Sequence, residues 1–301
     1  MPTAFLFPGQ GSQFVGMGRE LYDRESDARA LFDEADALLG FALSKLCFEG
    51  PEEALTDTAV QQPALFTTSL AAWAVLQQSG AANTAAYVAG HSLGEFSALA
   101  AAGALTFADG LALVRRRGEL MKLAGERRPG GMAAVLGLDA EPVAERCARA
   151  TAETGHYVGI ANDNCPGQIV ISGHLEALTR AMALLSDAGA RKVVRLPISI
   201  AAHTPLMASV ADEFAAAVDA VPLAEARIPL IANVSARPVS APDDIRVELK
   251  AQLTSPVAWA DSVRFLAAQG VDTYMEVGPG DVLLGLVKRI DRESQRVKFE
   301  L

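Results

Sequence analysis

The chain has 301 residues, of which 50% are hydrophobic and 21% charged, with a formal net charge of −10. This length holds one large domain, or one domain with a smaller insert, and the composition excludes a disordered chain. The acidic balance argues against nucleic acid as a partner, and no apolar stretch reaches the roughly 18 unbroken residues of a membrane span.

Met1 to Phe7 lacks the positive charge of a secretion signal and reads as a buried first strand. Three cysteines, Cys47, Cys147 and Cys165, have no metal-ligand spacing. They read as reduced thiols of a cytoplasmic protein, with no metal expected.

Phe5-Leu6-Phe7 runs into a glycine-rich turn, Pro8-Gly9-Gln10-Gly11-Ser12-Gln13. Helical patterning follows around Gly18 to Tyr22 and over Ala28 to Leu39. Gln62-Pro63 is expected to open a long apolar helix, Ala64 to Gln78, with the proline near its first turn. A short apolar strand, Ala85 to Ala89, ends in Gly90-His91-Ser92-Leu93-Gly94, and an alanine-rich helix continues to Ala102. The next helix is expected from Phe107 to Ala124, stopping at Gly125.

The order then changes. Met132 to Leu138 reads as strand, Glu141 to Glu153 as helix, Tyr157 to Ala161 and Gln168 to Ser172 as strands, Glu176 to Ala188 as helix and Lys192 to Leu196 as strand. This β-α-β-β-α-β order is that of a ferredoxin-like unit. Strands at Ile228 to Val234 and Thr273 to Val277, with a helix from Val282 to Ile290, complete the larger body. The expected architecture is a large α/β-hydrolase-like domain with a parallel-sheet core, formed by residues 1–128 and 198–301. A ferredoxin-like subdomain, residues 129–197, is inserted in it.

Gly90-His91-Ser92-Leu93-Gly94 fits the G-x-S-x-G nucleophile elbow, with an apolar strand before it and a helix after it. Such a turn projects Ser92 Oγ over the sheet edge and leaves the Leu93 N–H at a helix N-terminus, where it stabilises an oxyanion. A serine that merely caps the helix is the alternative reading. A nucleophilic serine needs a base, and four histidines are available. His91 adjoins the nucleophile, so its ring is expected to face away from Oγ and line the pocket entrance. His156 and His174 flank strands of the inserted unit. His203, where the chain re-enters the large domain, is the base by elimination, against the alternative of a structural loop histidine.

Further motifs occur in order: Phe7-Pro8-Gly9-Gln10-Gly11-Ser12-Gln13, Gln62-Pro63-Ala64-Leu65, the elbow with Glu95, Arg117-Gly118, Ala161-Asn162-Asp163-Asn164, Pro166-Gly167-Gln168, His203, Ser255-Pro256-Val257 and Glu276-Val277-Gly278-Pro279-Gly280. With them the chain resembles the malonyl-CoA:acyl carrier protein transacylases over nearly its whole length. The resemblance implies a free-standing monomeric enzyme of fatty acid synthesis or of a polyketide assembly line. Its substrates would be an acyl-CoA donor and an acyl carrier protein, and it would need no cofactor beyond the partner's phosphopantetheine. It further implies a Ser92–His203 dyad with ping-pong kinetics, the histidine oriented by the backbone carbonyl of Gln252. The backbone N–H groups of Gln10 and Leu93 would form the oxyanion hole, with Gly9 and Gly11 permitting close backbone approach.

The same resemblance selects Arg117, from the run Arg115-Arg116-Arg117, as the residue binding a donor carboxylate with two hydrogen bonds. Arg115 and Arg116 read as a solvated face. Many malonyl-selective members carry Phe immediately before the histidine; here Ala202 opens space for an α-substituent. A methyl- or ethylmalonyl donor is therefore expected, with malonyl as a close rival. Carrier proteins are acidic, so an enzyme of this charge needs a local docking patch, for which Arg191-Lys192 and Lys288-Arg289 are candidates, against the favoured alternative of a plain solvated face for either pair alone.

Three other readings compete. A thioester hydrolase would use the same dyad, but Arg117 favours transfer. A non-catalytic docking module would not be expected to retain Ser92, His203 and Gln10 together. A dinucleotide-binding fold is weak, because Gly9-x-Gly11 lacks the third glycine.

Overall fold

The computed structural model describes residues 2–300, so Met1 and Leu301, the outer ends of the expected large domain, lie outside it. The chain opens with β1 (Thr3–Phe7), whose five side chains are all buried, and continues through α1 (Arg19–Arg24), α2 (Ser26–Leu39), α3 (Leu43–Glu49) and α4 (Glu52–Thr56). Then come α5 (Thr58–Gln78), β2 (Ala85–Gly90), α6 (Gly94–Ala101) and α7 (Phe107–Arg127).

A second group of elements follows: β3 (Gly130–Leu136), α8 (Ala140–Thr154), β4 (Val158–Cys165), β5 (Gln168–His174), α9 (Leu175–Asp187) and β6 (Lys192–Arg195). The chain then returns through α10 (Ala208–Ala220), β7 (Leu230–Ile231), β8 (Pro238–Val239), α11 (Pro242–Gln252), α12 (Trp259–Ala268), β9 (Thr273–Glu276), α13 (Val282–Ile290) and β10 (Gln295–Lys298).

The strands form a large sheet of order β10-β9-β1-β2-β7-β8 and a small one of order β4-β5-β3-β6. In the large sheet every neighbouring pair is parallel except β7–β8. Parallel strands are covered on both faces, which is why Phe5-Leu6-Phe7 and Val88-Ala89 are apolar runs without alternation. Every pair in the small sheet is antiparallel. Its core draws Ala133, Val135, Ile169 and Ile171 from the strands against Val143 and Cys147 of α8 and Leu178 and Leu185 of α9. The small sheet is tied to the large body at β4, where Val257 N–H donates to Ala161 O at 2.8 Å and Asp163 N–H donates to Val257 O at 3.0 Å.

Of the expected boundaries that move, three have a clear physical cause. Helix α5 begins at Thr58, not beside Pro63, because Asp57 caps it by accepting the Ala59 N–H at 2.9 Å. Pro63 thus lies inside the helix, and the cap sets the start. Helix α7 runs through Gly125 to Arg127. A side chain at Gly125 would press on Ser199 O at 3.1 Å, so this glycine admits a crossing segment and does not stop the helix. The strand expected over Ile228 to Val234 shrinks to Leu230–Ile231, since Asn233 turns out of the sheet.

Candidate active site

The elbow is built by close contact between β2, β1 and α6. A Cβ on Gly90 would lie 1.9 Å from Gly94 C, and one on Gly94 would lie 1.9 Å from Phe7 O. No side chain fits at either position, and the turn that results holds Ser92 at φ 51, a left-handed conformation unusual outside glycine. Asn233 clamps the elbow from the turn after β7: its Oδ1 accepts the Ser92 N–H at 2.7 Å, and its Nδ2 donates to Gly90 O at 2.7 Å.

Ser92 Oγ lies 2.7 Å from His203 Nε2. His203 also has a positive φ, 59, and is buried. Its Nδ1 faces two carbonyl oxygens, Gln252 at 3.0 Å and Ser255 at 3.2 Å. A carbonyl can only accept, so Nδ1 carries the proton and Nε2 presents its lone pair to the serine hydroxyl. Burial, reinforced by the Arg117 charge, holds the imidazole down at about 3. The ring is therefore a neutral acceptor at physiological pH.

Arg117, on α7, is fully buried behind the dyad. Its Nη2 donates to Ser92 Oγ and to Gln252 Oε1, both at 3.0 Å, and its Nη1 donates to Gln62 Oε1 at 3.0 Å and to Met121 Sδ at 3.2 Å. The guanidinium stacks on Phe96 at 5.5 Å. Burial lowers its pKa to about 10, opposed by nearby Glu95, so it keeps its charge. All four hydrogen-bond partners are neutral groups, which leaves the cation free to receive an anion. Arg115 and Arg116 point outward to Glu119 and Glu213 instead.

The backbone N–H groups of Gln10 and Leu93 have no acceptor among the described residues, and Gln10 lines the same cavity as Ser92 and His203. The two glycines beside Gln10 do different jobs. A Cβ on Gly9 would sit 2.3 Å from His91 O, whereas Gly11 has open space and needs glycine for its φ of 101.

The cavity has a volume of about 180 Å³. Its apolar wall includes Met121, Met132, Val170, Leu196, Ile198 and Ala202, so β3 and β5 of the small sheet, α7 and the returning segment after β6 all contribute. His91 lines it with its Nε2 2.8 Å from Asn164 Oδ1 and its ring 5.5 Å from Trp259. His156 and His174 stack on each other at 4.0 Å at the ends of the small sheet, away from the dyad. The sequence reading gave no role to the side chains of Gln62, Glu95, Asn233 and Gln252, which join the site. Gln62, Glu95 and Asn233 are buried polar residues beside or within apolar runs, a local signal, whereas Gln252, on the charged helix α11, carries none.

A strained-elbow serine, a neutral buried histidine and two free N–H groups on an α/β body define a serine acyl-transfer enzyme. The profile of the acyl transferase domain family matches residues 4–299, and the chain belongs to that family. It is 47% identical over 294 residues to the malonyl CoA-acyl carrier protein transacylase of Bacillus subtilis (strain 168), covering 98% of this chain and 92% of that one. Among solved structures, an acyl carrier protein S-malonyltransferase from Vibrio cholerae O1 biovar eltor superposes with a TM-score of 0.94 at 41% identity, covering 99% and 96% of the two chains. A type II polyketide synthase acyl-carrier protein in complex with its malonyl-transacylase gives a TM-score of 0.95 at 38% identity, over 99% and 96%.

Proposed function

We propose that this chain moves a malonyl group from CoA to the phosphopantetheine thiol of an acyl carrier protein through a Ser92 ester. The observation that carries the reading is the buried Arg117 guanidinium, 3.0 Å from the nucleophile. A cation sequestered there with neutral partners suits a donor whose acyl group ends in a carboxylate.

In the first half-reaction Ser92 Oγ attacks the thioester carbonyl while His203 Nε2 takes its proton. The Gln10 and Leu93 N–H groups receive the oxyanion. Collapse breaks the C–S bond, and the departing CoA thiolate takes the proton from His203. In the second half the carrier thiol gives its proton to His203 and attacks the ester, and Ser92 regains a proton as it leaves. One chain supplies every group used, and we read the enzyme as a monomer. With buried free thiols at Cys47, Cys147 and Cys165, we place it in the cytoplasm; among the described residues no helix is long and apolar enough to cross a membrane.

Ala202 favours a second reading, in which an α-methyl or α-ethyl malonyl group is also accepted. It lines the cavity where a larger side chain would fill it. A methylene in an apolar pocket is worth about 1–3 kcal/mol, so the two readings are separated by comparing kcat/KM for malonyl-, methylmalonyl- and ethylmalonyl-CoA. A strong preference for malonyl removes the branched-donor reading. An acyl-enzyme that survives without carrier protein and discharges onto the holo-carrier supports transfer. Prompt release of free acid without carrier would make the enzyme a hydrolase.

A further inference from the structure

Glu95 sits one turn after the nucleophile, at the start of α6, with no solvent exposure. Its two carboxyl oxygens face two donors. Oε1 accepts the Asn233 backbone N–H at 2.8 Å, and Oε2 accepts the Gln252 side-chain NH2 at 2.5 Å. Each donor residue in turn holds part of the site. Asn233 clamps the elbow through Ser92 N–H and Gly90 O. The Gln252 Nε2 also donates to Ser92 O at 2.9 Å, its Oε1 receives Arg117 Nη2, and its backbone carbonyl takes the His203 Nδ1–H.

The orientation of the Gln252 amide follows from chemistry. Glu95 Oε2 and Ser92 O are acceptors, so the amide must turn its NH2 toward them and its carbonyl toward Arg117. A carboxyl at position 95 thereby fixes an acceptor against the guanidinium.

We propose that Glu95 is a positioning residue that sets the nucleophile elbow through Asn233 and the carboxylate-binding Arg117 through Gln252. It contacts neither Ser92 Oγ nor the donor and works through those two residues. Glu248 of α11 lies behind it, with Oε1 accepting the Val234 N–H at 2.8 Å. Burial, with the neighbouring Glu248, raises the Glu95 carboxyl well above its usual range, and burial raises Glu248 too.

Glu95→Gln keeps the size but turns one acceptor oxygen into an NH2 group, which faces a donor. The inference about Arg117 rests on the malonyl-transfer reading, whereas the inference about the elbow does not, so two readouts are needed. Labelling of Ser92 by phenylmethylsulfonyl fluoride, a neutral reagent, reads the nucleophile without any donor carboxylate. The ratio of kcat/KM for malonyl-CoA to that for acetyl-CoA reads the seating of Arg117.

Glu95→Gln is expected to slow labelling about 100-fold, the scale of a ~1 Å misplacement. It should also shrink the malonyl-to-acetyl ratio about tenfold, the worth of one charge-assisted hydrogen bond, with the melting temperature close to wild type. Asn233→Ala should slow labelling and leave the ratio unchanged. Gln252→Met, which keeps the backbone carbonyl for His203, should cut the ratio.

A Glu95→Gln enzyme with wild-type labelling and wild-type ratio overturns the proposal. So does a loss that merely tracks a melting point fallen below the assay temperature. Should Glu95→Gln fail to fold, wild-type labelling in Asn233→Ala together with an unchanged ratio in Gln252→Met overturns it instead. If wild-type enzyme labels normally but takes no malonyl group, the donor reading fails and the elbow half of the proposal is still decided by the labelling rates.

Discussion

At rest the Ser92 hydroxyl stands between two groups with opposed effects on its chemistry. It donates to His203 Nε2 at 2.7 Å and accepts from Arg117 Nη2 at 3.0 Å. The guanidinium stabilises negative charge developing on Oγ, yet its field also weakens the histidine as a base, second to burial among the causes of its depressed pKa. On the proposed reading, a donor carboxylate paired with Arg117 would cancel that field and make His203 the stronger base. The sign of the pH dependence follows. His203 must be unprotonated to work, and its pKa lies at about 3 against an ordinary value of 6.5. Labelling of Ser92 by a neutral reagent should therefore persist as pH falls through 6.5 and fade toward 3. Arg117→Met removes the cation, raises the His203 pKa and moves the acid limb to higher pH, though burial keeps it below the ordinary value. A limb that stays put or moves down in that variant contradicts the coupling. In the same window the unfolded chain takes up a proton that the folded site refuses, so His203 contributes stability above pH 6.5 that is lost as pH falls toward 3.

Elements hold these residues by close approach more than by loop flexibility, and Gly118 shows why Arg117 is followed by glycine. A Cβ there would sit 2.5 Å from Thr58 O and 3.0 Å from Ala59 Cα, so α7 crosses the first turn of α5 with no room for a side chain. That crossing places Arg117 within reach of Gln62, 3.0 Å away on α5. In an open helix Gly→Ala would be stabilising by about 1 kcal/mol. Here the obstruction is backbone, and Gly118→Ala should destabilise by roughly 1–3 kcal/mol, as overpacking does. It should also weaken malonyl-CoA use more than acetyl-CoA use. Thermal melting and the donor ratio check both parts, and a stabilised variant would refute the packing account. This level was partly legible in the sequence. Strand β1, the elbow and α13 follow from apolar runs and glycine spacing, which are local signals. The start of α5 and the passage of α7 through Gly125 were misread because Pro63 and Gly125 answer to the Asp57 cap and the crossing chain at Ser199, which are respectively easy to overlook and non-local. The roles of Asn233 and Glu95 depend on contacts 141 and 138 residues apart, beyond any periodicity. Helices α10, α11 and α12 have no counterpart among the sequence expectations, although α11 delivers Gln252.

Over the whole molecule, the site occupies the cleft between the two sheets, and helix α13 forms part of its rim. Leu283 and Leu286 of that helix line the cavity, while its last turn carries Lys288 and Arg289 outward, with Arg292 just beyond and Pro166 beside them. The chain as a whole bears −10, so an acidic carrier protein is repelled at long range and must find a local basic surface. Screening limits each charge to about 8 Å at physiological salt, which lets such a patch act apart from the net charge. Arg289 is a poor probe, because its Nη1 donates to Gln168 Oε1 at 2.8 Å and Gln168 lines the cavity. Lys288 and Arg292 are exposed and lie outside the catalytic groups. The double change Lys288→Glu with Arg292→Glu should raise the KM for the holo-carrier by about tenfold, the effect of roughly 1.4 kcal/mol of lost attraction. Its penalty should shrink as salt is added, while malonylation of Ser92 by malonyl-CoA stays unchanged. The competing account is that Lys288 and Arg289 serve the helix, offsetting the dipole at the C-terminus of α13. On that account the variant melts slightly lower and transfers to the carrier with an unaltered, equally salt-insensitive KM.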